Sequence, residues 1–402
     1  MDGAAIDLPR LRAAYGHFLR PGRILLTGHS HQAWPDVARA APLAAFDDAA
    51  RYCDDKWSEA VFPLAAEVAG RLAARLGFAP TDPVTFGPNS HTLVYALLSA
   101  VLSPRGGAPR GAGAERPRIV TTTGEFHSLD RQLRRLAEDG VDVDWVAAEP
   151  RVTLTERLFE AVSRPAALLA FSAVLFEDAW IVESLGELCA RAVASGALVL
   201  VDAYHAFNVV PLDWGPVAGA LHVVAGGYKY GELGEGVCFL RSPPGSPLRP
   251  AFTGWYADFA GLEGARVAGA PVGYGPGGAR FAGATFDPTS LYRARAVLDH
   301  FDAFGLGVAE LRAISVRQTA RLVAALDRAG LPLATSREPA RRAGFVAVRP
   351  PRASEVVRRL RERGVFVDAR GELLRLGPAP YLTDEELDAG VDALAETVRA
   401  LG

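Results

Sequence analysis

Short apolar runs rich in β-branched residues alternate with longer amphipathic stretches between residues 80 and 245. The amphipathic stretches repeat apolar positions every three to four residues and predict helices over 90–101, 129–139, 154–163 and 182–195. The apolar runs predict strands over 84–86, 118–123, 141–147, 166–172, 197–202, 222–226 and 236–241. This alternation predicts an α/β fold whose large domain holds a mostly parallel, seven-stranded sheet between helices. Ligands of such sheets bind at the carboxyl ends of the strands.

Two tracts rich in glycine and proline interrupt this pattern. Residues 103–117 predict a surface loop, and residues 266–283 predict either a disordered segment or a functional loop. Long helical patterns follow, and a small α/β unit ends the chain. We therefore expect an N-terminal arm (1–77) that packs with the small domain, a large domain (78–300) and a small C-terminal α/β domain (301–402).

Composition excludes several classes of protein. Hydrophobic residues make up 50% of the 402 residues and charged residues 22%, which is typical of globular proteins. A net charge of −3 is unsuited to binding nucleic-acid phosphates, and no apolar run is long enough to span a membrane. The start of the chain shows no signal-peptide pattern. Three cysteines without CxxC spacing indicate reduced thiols, so we expect a cytoplasmic protein.

Lysine is almost absent from the chain. Lysine and arginine together number 43, yet only Lys56 and Lys229 are lysines. A lysine that persists in such a composition is a candidate for chemistry that arginine cannot perform, because arginine stays protonated whereas a buried lysine can lose its proton and attack a carbonyl. Lys56 lies beside two aspartates, which favour its charged form. Lys229 follows an apolar strand and stands between two tyrosines in a glycine-rich turn.

Asp202 ends another predicted strand, and His205 follows it by three residues. A carboxylate at this position either faces a ligand or caps the next turn. An aspartate at one strand end and a lysine after the next strand suit pyridoxal phosphate. The lysine forms the Schiff base, and the aspartate keeps the ring nitrogen protonated.

These residues also carry a family resemblance. The D-x-x-H of Asp202 and His205, followed by Tyr228–Lys229, resembles the class V aminotransferase group of fold-type I pyridoxal-phosphate enzymes, and within it most closely the kynureninases. Further segments that are similar to this group are GPNSHTLVYALLSA (87–100), GEFHSLDRQ (124–132), FTGWYADF (252–259), RFAGATFDPTS (280–290) and LLRLGPAPYLT (373–383).

The resemblance implies a role for each matching residue. The residues implied to bind the cofactor are Asn89, Ser90, Phe126, Ser128, Asp202, His205, Tyr228, Lys229, Trp255 and Thr285. Among them, Thr285 is implied to reach the phosphate of a neighbouring subunit, which makes the expected assembly a homodimer with a shared active site. Arg375 is implied to bind the substrate α-carboxylate, and the alternative is a structural salt bridge within the small domain. Trp57 is implied to lie near the substrate ring.

The function implied is hydrolysis of the Cβ–Cγ bond of a kynurenine-like β-acyl amino acid, a step of tryptophan degradation, to an aromatic acid and alanine. Lys229, Asp202, His205 and Tyr228 are the expected catalytic residues. Alternatives are another class V reaction (transamination, desulfuration or lyase chemistry, or epimerisation) and a non-enzymatic protein that keeps the fold. The sequence departs from kynureninases at Glu232 and Glu235 after the lysine, at His127, and at GHSHQAWP (28–35).

The two histidines of that last segment, His29 and His31, form an HxH pair, which can ligate a metal ion. Such a pair without a third ligand is more often found in an ordinary loop. We therefore expect no metal site.

Overall fold

The computed structural model describes residues 6–108, 117–264 and 268–401 of an α/β protein. Its strands are β1 (Ile24–Leu25), β2 (Val84–Gly87), β3 (Arg118–Thr122), β4 (Asp142–Val146), β5 (Leu168–Ser172), β6 (Leu198–Asp202), β7 (His222–Gly226), β8 (Cys238–Arg241), β9 (Val346–Val348), β10 (Val365–Phe366), β11 (Asp368–Arg370) and β12 (Leu373–Leu376). Its α-helices are α1 (Leu8–Ala13), α2 (Val37–Tyr52), α3 (Phe62–Arg75), α4 (Ser90–Leu102), α5 (His127–Glu138), α6 (Leu154–Val162), α7 (Leu185–Ala194), α8 (Thr289–Ala303), α9 (Val308–Arg328), α10 (Ala353–Glu362) and α11 (Asp384–Leu401).

The central sheet has the seven predicted strands in the order β2-β8-β7-β6-β5-β3-β4. Only β8 runs antiparallel to its neighbours, β2 and β7, so the prediction of a mostly parallel sheet is confirmed. Every residue of β5 and β7 is buried. Strands buried on both faces explain why these segments read as continuous apolar runs.

A second sheet lies near the end of the chain and has the order β11-β12-β9. The segment VFVDA (365–369) of the small C-terminal unit contributes to two short strands because its two halves pair with different partners. Val365–Phe366 pairs in parallel with β1, and Asp368–Arg370 pairs antiparallel with β12. The N-terminal arm is thereby hydrogen-bonded to the C-terminal part of the chain. The division into three parts at residues 77 and 300 stays a prediction.

The second glycine-rich tract is ordered where it meets the central sheet. Gly277–Phe281 forms a 3₁₀ turn, and Thr85 of β2 donates a hydrogen bond to the Gly278 carbonyl oxygen. A Cβ at Gly278 would lie 2.7 Å from the Thr85 hydroxyl oxygen, so glycine is required for this approach. Part of each glycine-rich tract (109–116 and 266–267) lies outside the described residues.

Across the part of the chain that the structure describes, no helix combines the length and apolar character needed to cross a bilayer.

Candidate active site

A pocket of about 220 Å³ opens at the edge of the central sheet where its parallel strands end. Asp202 and Ser172 are the last residues of β6 and β5, and Lys229 follows the end of β7. The first turns of α4 and α5 close the pocket. It brings together eight of the predicted residues: Asn89, Ser90, Phe126, Ser128, Asp202, His205, Tyr228 and Lys229.

The Lys229 side chain is buried, and its Nζ lies 2.6 Å from Nε2 of His205. Burial lowers the pKa of Lys229, with Asp202 acting in the opposite direction. Burial and the Lys229 charge also lower the pKa of His205, so the imidazole is neutral at pH 7. The amine therefore meets a neutral ring nitrogen instead of a carboxylate, which leaves it available as a nucleophile and a base.

Asp202 lines the same pocket and supplies a half-buried carboxyl. One of its oxygens accepts the backbone N–H of Tyr204 at 2.9 Å. Burial raises the pKa of Asp202, and the Tyr204 N–H and the Lys229 charge oppose that rise. Such a carboxyl needs a cationic donor to ionise fully. A protonated pyridine nitrogen is such a donor.

The N-terminus of α4 forms one wall of the pocket. Asn89 is the N-cap, and its side-chain oxygen accepts the backbone N–H of Thr92 at 2.9 Å. Ser90 and His91 line the pocket in the first turn, and the amide of Gln132 holds Nδ1 of His91 at 3.0 Å. Unpaired N–H groups and the helix dipole make this end of a helix suitable for a phosphate.

An aromatic wall completes the pocket. The Phe126 ring centroid lies 5.3 Å from Nζ of Lys229, and Phe126 packs edge-on against Phe176 at 5.4 Å. A nucleophilic amine, a half-buried carboxyl, an aromatic face and a helix N-terminus thus surround one cavity. This set of groups fits pyridoxal phosphate, and Nδ1 of His205, which is buried without a partner among the described residues, is a further polar atom at this site.

Four of the predicted residues do not line the pocket, namely Trp57, Trp255, Thr285 and Arg375. Trp57 and Trp255 both pack against Tyr256, at 5.8 and 4.3 Å between ring centroids, in an aromatic cluster that is partly exposed. Thr285 is exposed. The structure therefore leaves the roles of Trp57, Trp255 and Thr285 as predictions.

Arg375 is buried and lies in a cluster with Asp368 and His29, which we call the arm–hairpin cluster. Its Nε and Nη2 donate to the two Asp368 oxygens at 2.9 and 2.5 Å, and Nη1 donates to the Phe176 carbonyl oxygen at 2.5 Å. Nε2 of His29 lies 2.7 Å from the same carboxylate. Burial would raise the pKa of Asp368, but the hydrogen bonds from His29 and Arg375 outweigh it and lower that pKa.

The histidines of the HxH pair belong to different environments. Burial lowers the pKa of His29 to about 4, so its neutral ring donates Nε2–H to Asp368. His31 is exposed and stacks on the Tyr228 ring at 4.9 Å. In the described ranges, His, Cys, Asp and Glu side chains do not gather into a group of three that could hold a metal ion.

The sequence analysis missed several residues at this site. Ser172 lines the pocket and donates to the buried carboxyl of Glu125 at 2.6 Å, and Thr122 donates to the same carboxyl at 2.5 Å. Burial raises the pKa of Glu125 to about 7. Ser172 could have been found, since it ends a predicted strand next to the one that ends at Asp202. The pairing of Asp368 with Arg375 had no comparable signal.

Comparison with known proteins extends these observations. A model of the kynureninase C-terminal domain matches residues 311–394. An uncharacterized aminotransferase, YcbU of Bacillus subtilis, is 25% identical over 367 residues, which cover 89% of this chain and 90% of that protein. Isopenicillin N epimerase of Streptomyces clavuligerus is 30% identical over 279 residues, 67% of each chain.

The fold is shared with solved structures of pyridoxal-phosphate enzymes. A structure of C-DES with glycine linked covalently to its pyridoxal phosphate superimposes with a TM-score of 0.78 at 18% identity, over 96% of this chain and 99% of that one. Such similarity supports the fold, and the pocket residues and the relatives support the cofactor. With its buried lysine, its strand-end aspartate and relatives that span most of its length, the chain belongs to the class V aminotransferase family of pyridoxal-phosphate enzymes.

Proposed function

We propose that this enzyme acts on a free amino acid and that its reaction begins with removal of the α proton and breaks no carbon–carbon bond, as in epimerisation or in transamination, which transfers the amino group to a keto acid. The observation that carries the proposal is the Lys229 amine, buried and placed 2.6 Å from a neutral His205 ring. Pyridoxal phosphate supplies an electron sink that stabilises the negative charge left when the α proton is removed. Lys229 is the base for that proton, and Asp202 holds the ring nitrogen protonated.

Other pocket residues can return a proton. Tyr228, His91 and Glu235 line the same cavity as Lys229. Burial raises the pKa of Tyr228, which keeps its hydroxyl protonated and able to donate. Several donors around one basic amine suit reactions that move protons and break no carbon–carbon bond. The relatives that align with most of this chain are named as an aminotransferase and an epimerase, which supports the same conclusion.

The test is to incubate the purified holoenzyme in D₂O with the L- and D-forms of a panel of amino acids, once without and once with an α-keto acid as the amino-group acceptor. Proton NMR would follow exchange of the α hydrogen, chiral chromatography would follow inversion, and keto-acid assays would follow transamination. We expect α-hydrogen exchange together with either inversion or keto-acid formation. Lys229→Ala should abolish exchange and Lys56→Arg should not. Turnover of kynurenine to an aromatic acid and alanine, without these products, would contradict the proposal.

That outcome would establish the second candidate, hydrolysis of a kynurenine-like β-acyl amino acid in tryptophan degradation. The observation that favours it is the match of residues 311–394, which include Arg375, to the kynureninase C-terminal domain. In this reaction Tyr228 would be the proton donor, Arg375 would orient the α-carboxylate and Trp57 would lie near the substrate ring. None of the residues in this match lines the cavity, whose lining residues run from 88 to 238. The match is therefore weaker evidence for the reaction than the pocket residues are.

Desulfuration through a cysteine persulfide requires a thiolate at the pocket. Cys238 lines the pocket, but burial raises its pKa to about 11, so it is not a thiolate nucleophile at neutral pH. Cys189 is buried in α7, and Cys53 is exposed near the end of α2. All three cysteines are unpaired, which is consistent with the cytoplasmic location that we propose.

We also propose that the enzyme is a homodimer with a shared active site. Exposed aromatic side chains, Phe252, Trp255 and Phe259, accompany the exposed Thr285 on the segments that the family resemblance assigns to the cofactor phosphate. Large exposed aromatics are typical of protein interfaces. Light scattering should give twice the mass of one chain, and a fully active monomer would refute the proposal.

A further inference from the structure

We propose that His31 is a positioning residue that holds the Tyr228 ring in the pocket, so that the loop carrying His31 is part of the active site. This loop, residues 28–34 of the N-terminal arm, is called the arm loop, and the turn after β7, residues 227–236, is called the lysine turn. The inference rests on the proposed function, in which Tyr228 is one of the groups that can return a proton. The sequence pattern suggested only a metal-binding role for His31.

Hydrogen bonds fasten the arm loop to the lysine turn. The backbone N–H of Gln32 donates to the Tyr228 carbonyl oxygen at 3.3 Å, and the side-chain amide of Gln32 donates to the Glu232 carboxyl at 3.0 Å. Tyr15, also from the arm, donates to the other oxygen of that carboxyl at 2.5 Å. The side chains of Gln32, Glu232 and Tyr15 are all buried. Buried hydrogen bonds of this kind fix the backbone of the arm loop relative to Tyr228.

The arm loop and the lysine turn also pack closely against each other. Gly234 has a φ of +67°, and a Cβ at this position would lie 2.6 Å from the Trp34 indole, so the approach requires glycine. The Arg293 guanidinium lies 4.8 Å from the centroid of the Trp34 ring, and its Nε donates to the Leu233 carbonyl oxygen at 2.6 Å. The loop and the turn are therefore held in one arrangement.

This arrangement places His31 on the Tyr228 ring. The two ring centroids are 4.9 Å apart and the ring planes differ by 19°, which is a stacked pair. The His31 side chain is 70% exposed, so it covers Tyr228 from the solvent side, and its Nε2 lies 3.6 Å from Oε1 of Glu235 at the edge of the pocket. Tyr204, which lines the pocket, packs against the same tyrosine at 5.1 Å. The Tyr228 ring is thus held by one ring of the pocket and one ring of the arm loop.

The contribution of His31 to the reaction is indirect. His31 is not among the residues that line the pocket, whereas Tyr228 is one of them. Tyr228 must stay in the cavity for its hydroxyl to return a proton, and a ring without the stacking contact has other side-chain rotamers open to it. An aromatic pair of this geometry favours the packed position of the ring by about 3- to 10-fold. Loss of the stacked ring should therefore slow proton return without weakening substrate binding.

The first experiment observes the ring itself. 3-Fluorotyrosine is placed at position 228 of the holoenzyme and followed by ¹⁹F NMR. In His31→Ala we expect the resonance to move toward that of free 3-fluorotyrosine and to become narrower, because the uncovered ring gains mobility. Loss of the imidazole ring current alone would shift the resonance without narrowing it. His31→Phe keeps an aromatic ring at this position and should keep the wild-type resonance.

His17→Ala is the matched control. His17 is another exposed histidine of the arm, and its Nδ1 lies 3.0 Å from Asp36, so it too has a carboxylate neighbour. It lies outside the arm loop, and its removal should change neither the resonance nor the reaction.

The second experiment measures proton return with L-alanine in D₂O, with 2-oxoglutarate as the amino-group acceptor. The amount of D-alanine plus pyruvate formed is divided by the amount of α hydrogen exchanged. This ratio should fall by about 3- to 10-fold in His31→Ala, with the KM for L-alanine unchanged, and His31→Phe should restore it. Tyr228→Phe should lower the ratio at least as much. Adding His31→Ala to Tyr228→Phe should lower it no further, because both changes act through one side chain.

Three results would overturn the inference. One is an unshifted or unnarrowed resonance in His31→Ala, and another is a further loss in the double variant. The third is an equal loss in His31→Ala and His31→Phe, which would assign the effect to the imidazole nitrogens near Glu235 and not to the stacked ring. Failure of the proposed function appears differently, as the absence of α-hydrogen exchange in the wild type. The fluorine resonance decides in that case too whether His31 holds the ring.

Discussion

The pocket and the arm–hairpin cluster both contain charged side chains that are shielded from solvent. They differ in whether those side chains have oppositely charged partners within the protein. In the cluster, Asp368 receives two hydrogen bonds from Arg375 and one from His29, so the charges are compensated within the protein. In the pocket, the Lys229 amine meets a neutral imidazole, and the Asp202 carboxyl meets a backbone N–H. The charged groups of the cluster are paired without a ligand, whereas those of the pocket are not.

This difference separates structural charges from reactive ones. A compensated ion pair contributes rigidity, and its removal costs stability. Uncompensated buried groups have shifted pKa values and exchange protons readily, and they are concentrated at sites of chemistry. Substitutions in the two regions should therefore affect different measurements, covalent cofactor attachment in the pocket and the free energy of unfolding in the cluster.

The largest effect is expected at Lys229. Reduction of the holoenzyme with borohydride should fix the cofactor on Lys229, and Lys229→Arg should lose the label completely because a guanidinium does not form the imine at neutral pH. Mass spectrometry of the reduced protein would locate the label. Lys56→Arg should retain the label. A label on Lys56 would contradict the prediction that Lys229 is the lysine that binds the cofactor.

Loss of the Asp368 charge should affect stability. Asp368→Asn leaves the Arg375 charge buried without its partner, and we expect the free energy of unfolding to fall by ~3–5 kcal/mol, as measured by urea denaturation. Asp327 makes an equivalent bidentate pair with Arg337 at 2.6 and 2.8 Å, but both side chains are exposed. Asp327→Asn should cost no more than ~1 kcal/mol. Equal losses for the two variants would show that burial does not distinguish these pairs.

A third prediction concerns Glu232, a buried carboxyl on the turn that follows Lys229. Tyr15 donates to it at 2.5 Å and Gln32 at 3.0 Å, and its backbone N–H donates to the Lys229 carbonyl oxygen. Burial raises the pKa of Glu232 from 4.5 to about 7, with both side-chain donors opposing the rise. The folded protein thus binds this proton more tightly than the unfolded chain.

A group whose pKa is raised by folding contributes stability below its unfolded pKa, and that contribution is lost as the pH rises through the folded pKa. Relative to Glu232→Gln, which does not titrate, the wild type should lose on the order of 3 kcal/mol of unfolding free energy between pH 4.5 and pH 8. Urea denaturation at several pH values would measure the difference. Parallel curves for the two proteins would mean that Glu232 is not buried as a neutral acid.

Much of the pocket could be predicted from the sequence because parallel strands bring their carboxyl ends to one edge. Asp202 at the end of β6 and Lys229 after β7 could be recognised as neighbours without coordinates. The same reasoning did not predict the role of Glu125, because a glutamate after a strand is more often solvated. Its carboxyl is buried against the adjacent strand β5, where Ser172 donates to it. The division of residues 365–369 between two strands could not be predicted either, because it depends on pairing with β1 and with β12.

The sequence by itself determined the α/β alternation and the sheet, and it predicted a cofactor site at the strand ends with Lys229, not Lys56, as the reactive lysine. These depend on apolar periodicity and on residues close to strand ends, which are local properties. Only the tertiary structure decided that Arg375 is paired with Asp368. Asp368 is held by His29, 339 residues earlier in the chain, as well as by Arg375. Whether a charged side chain is compensated depends on the groups that folding brings against it, and the sequence pattern around Arg375 carries no record of them.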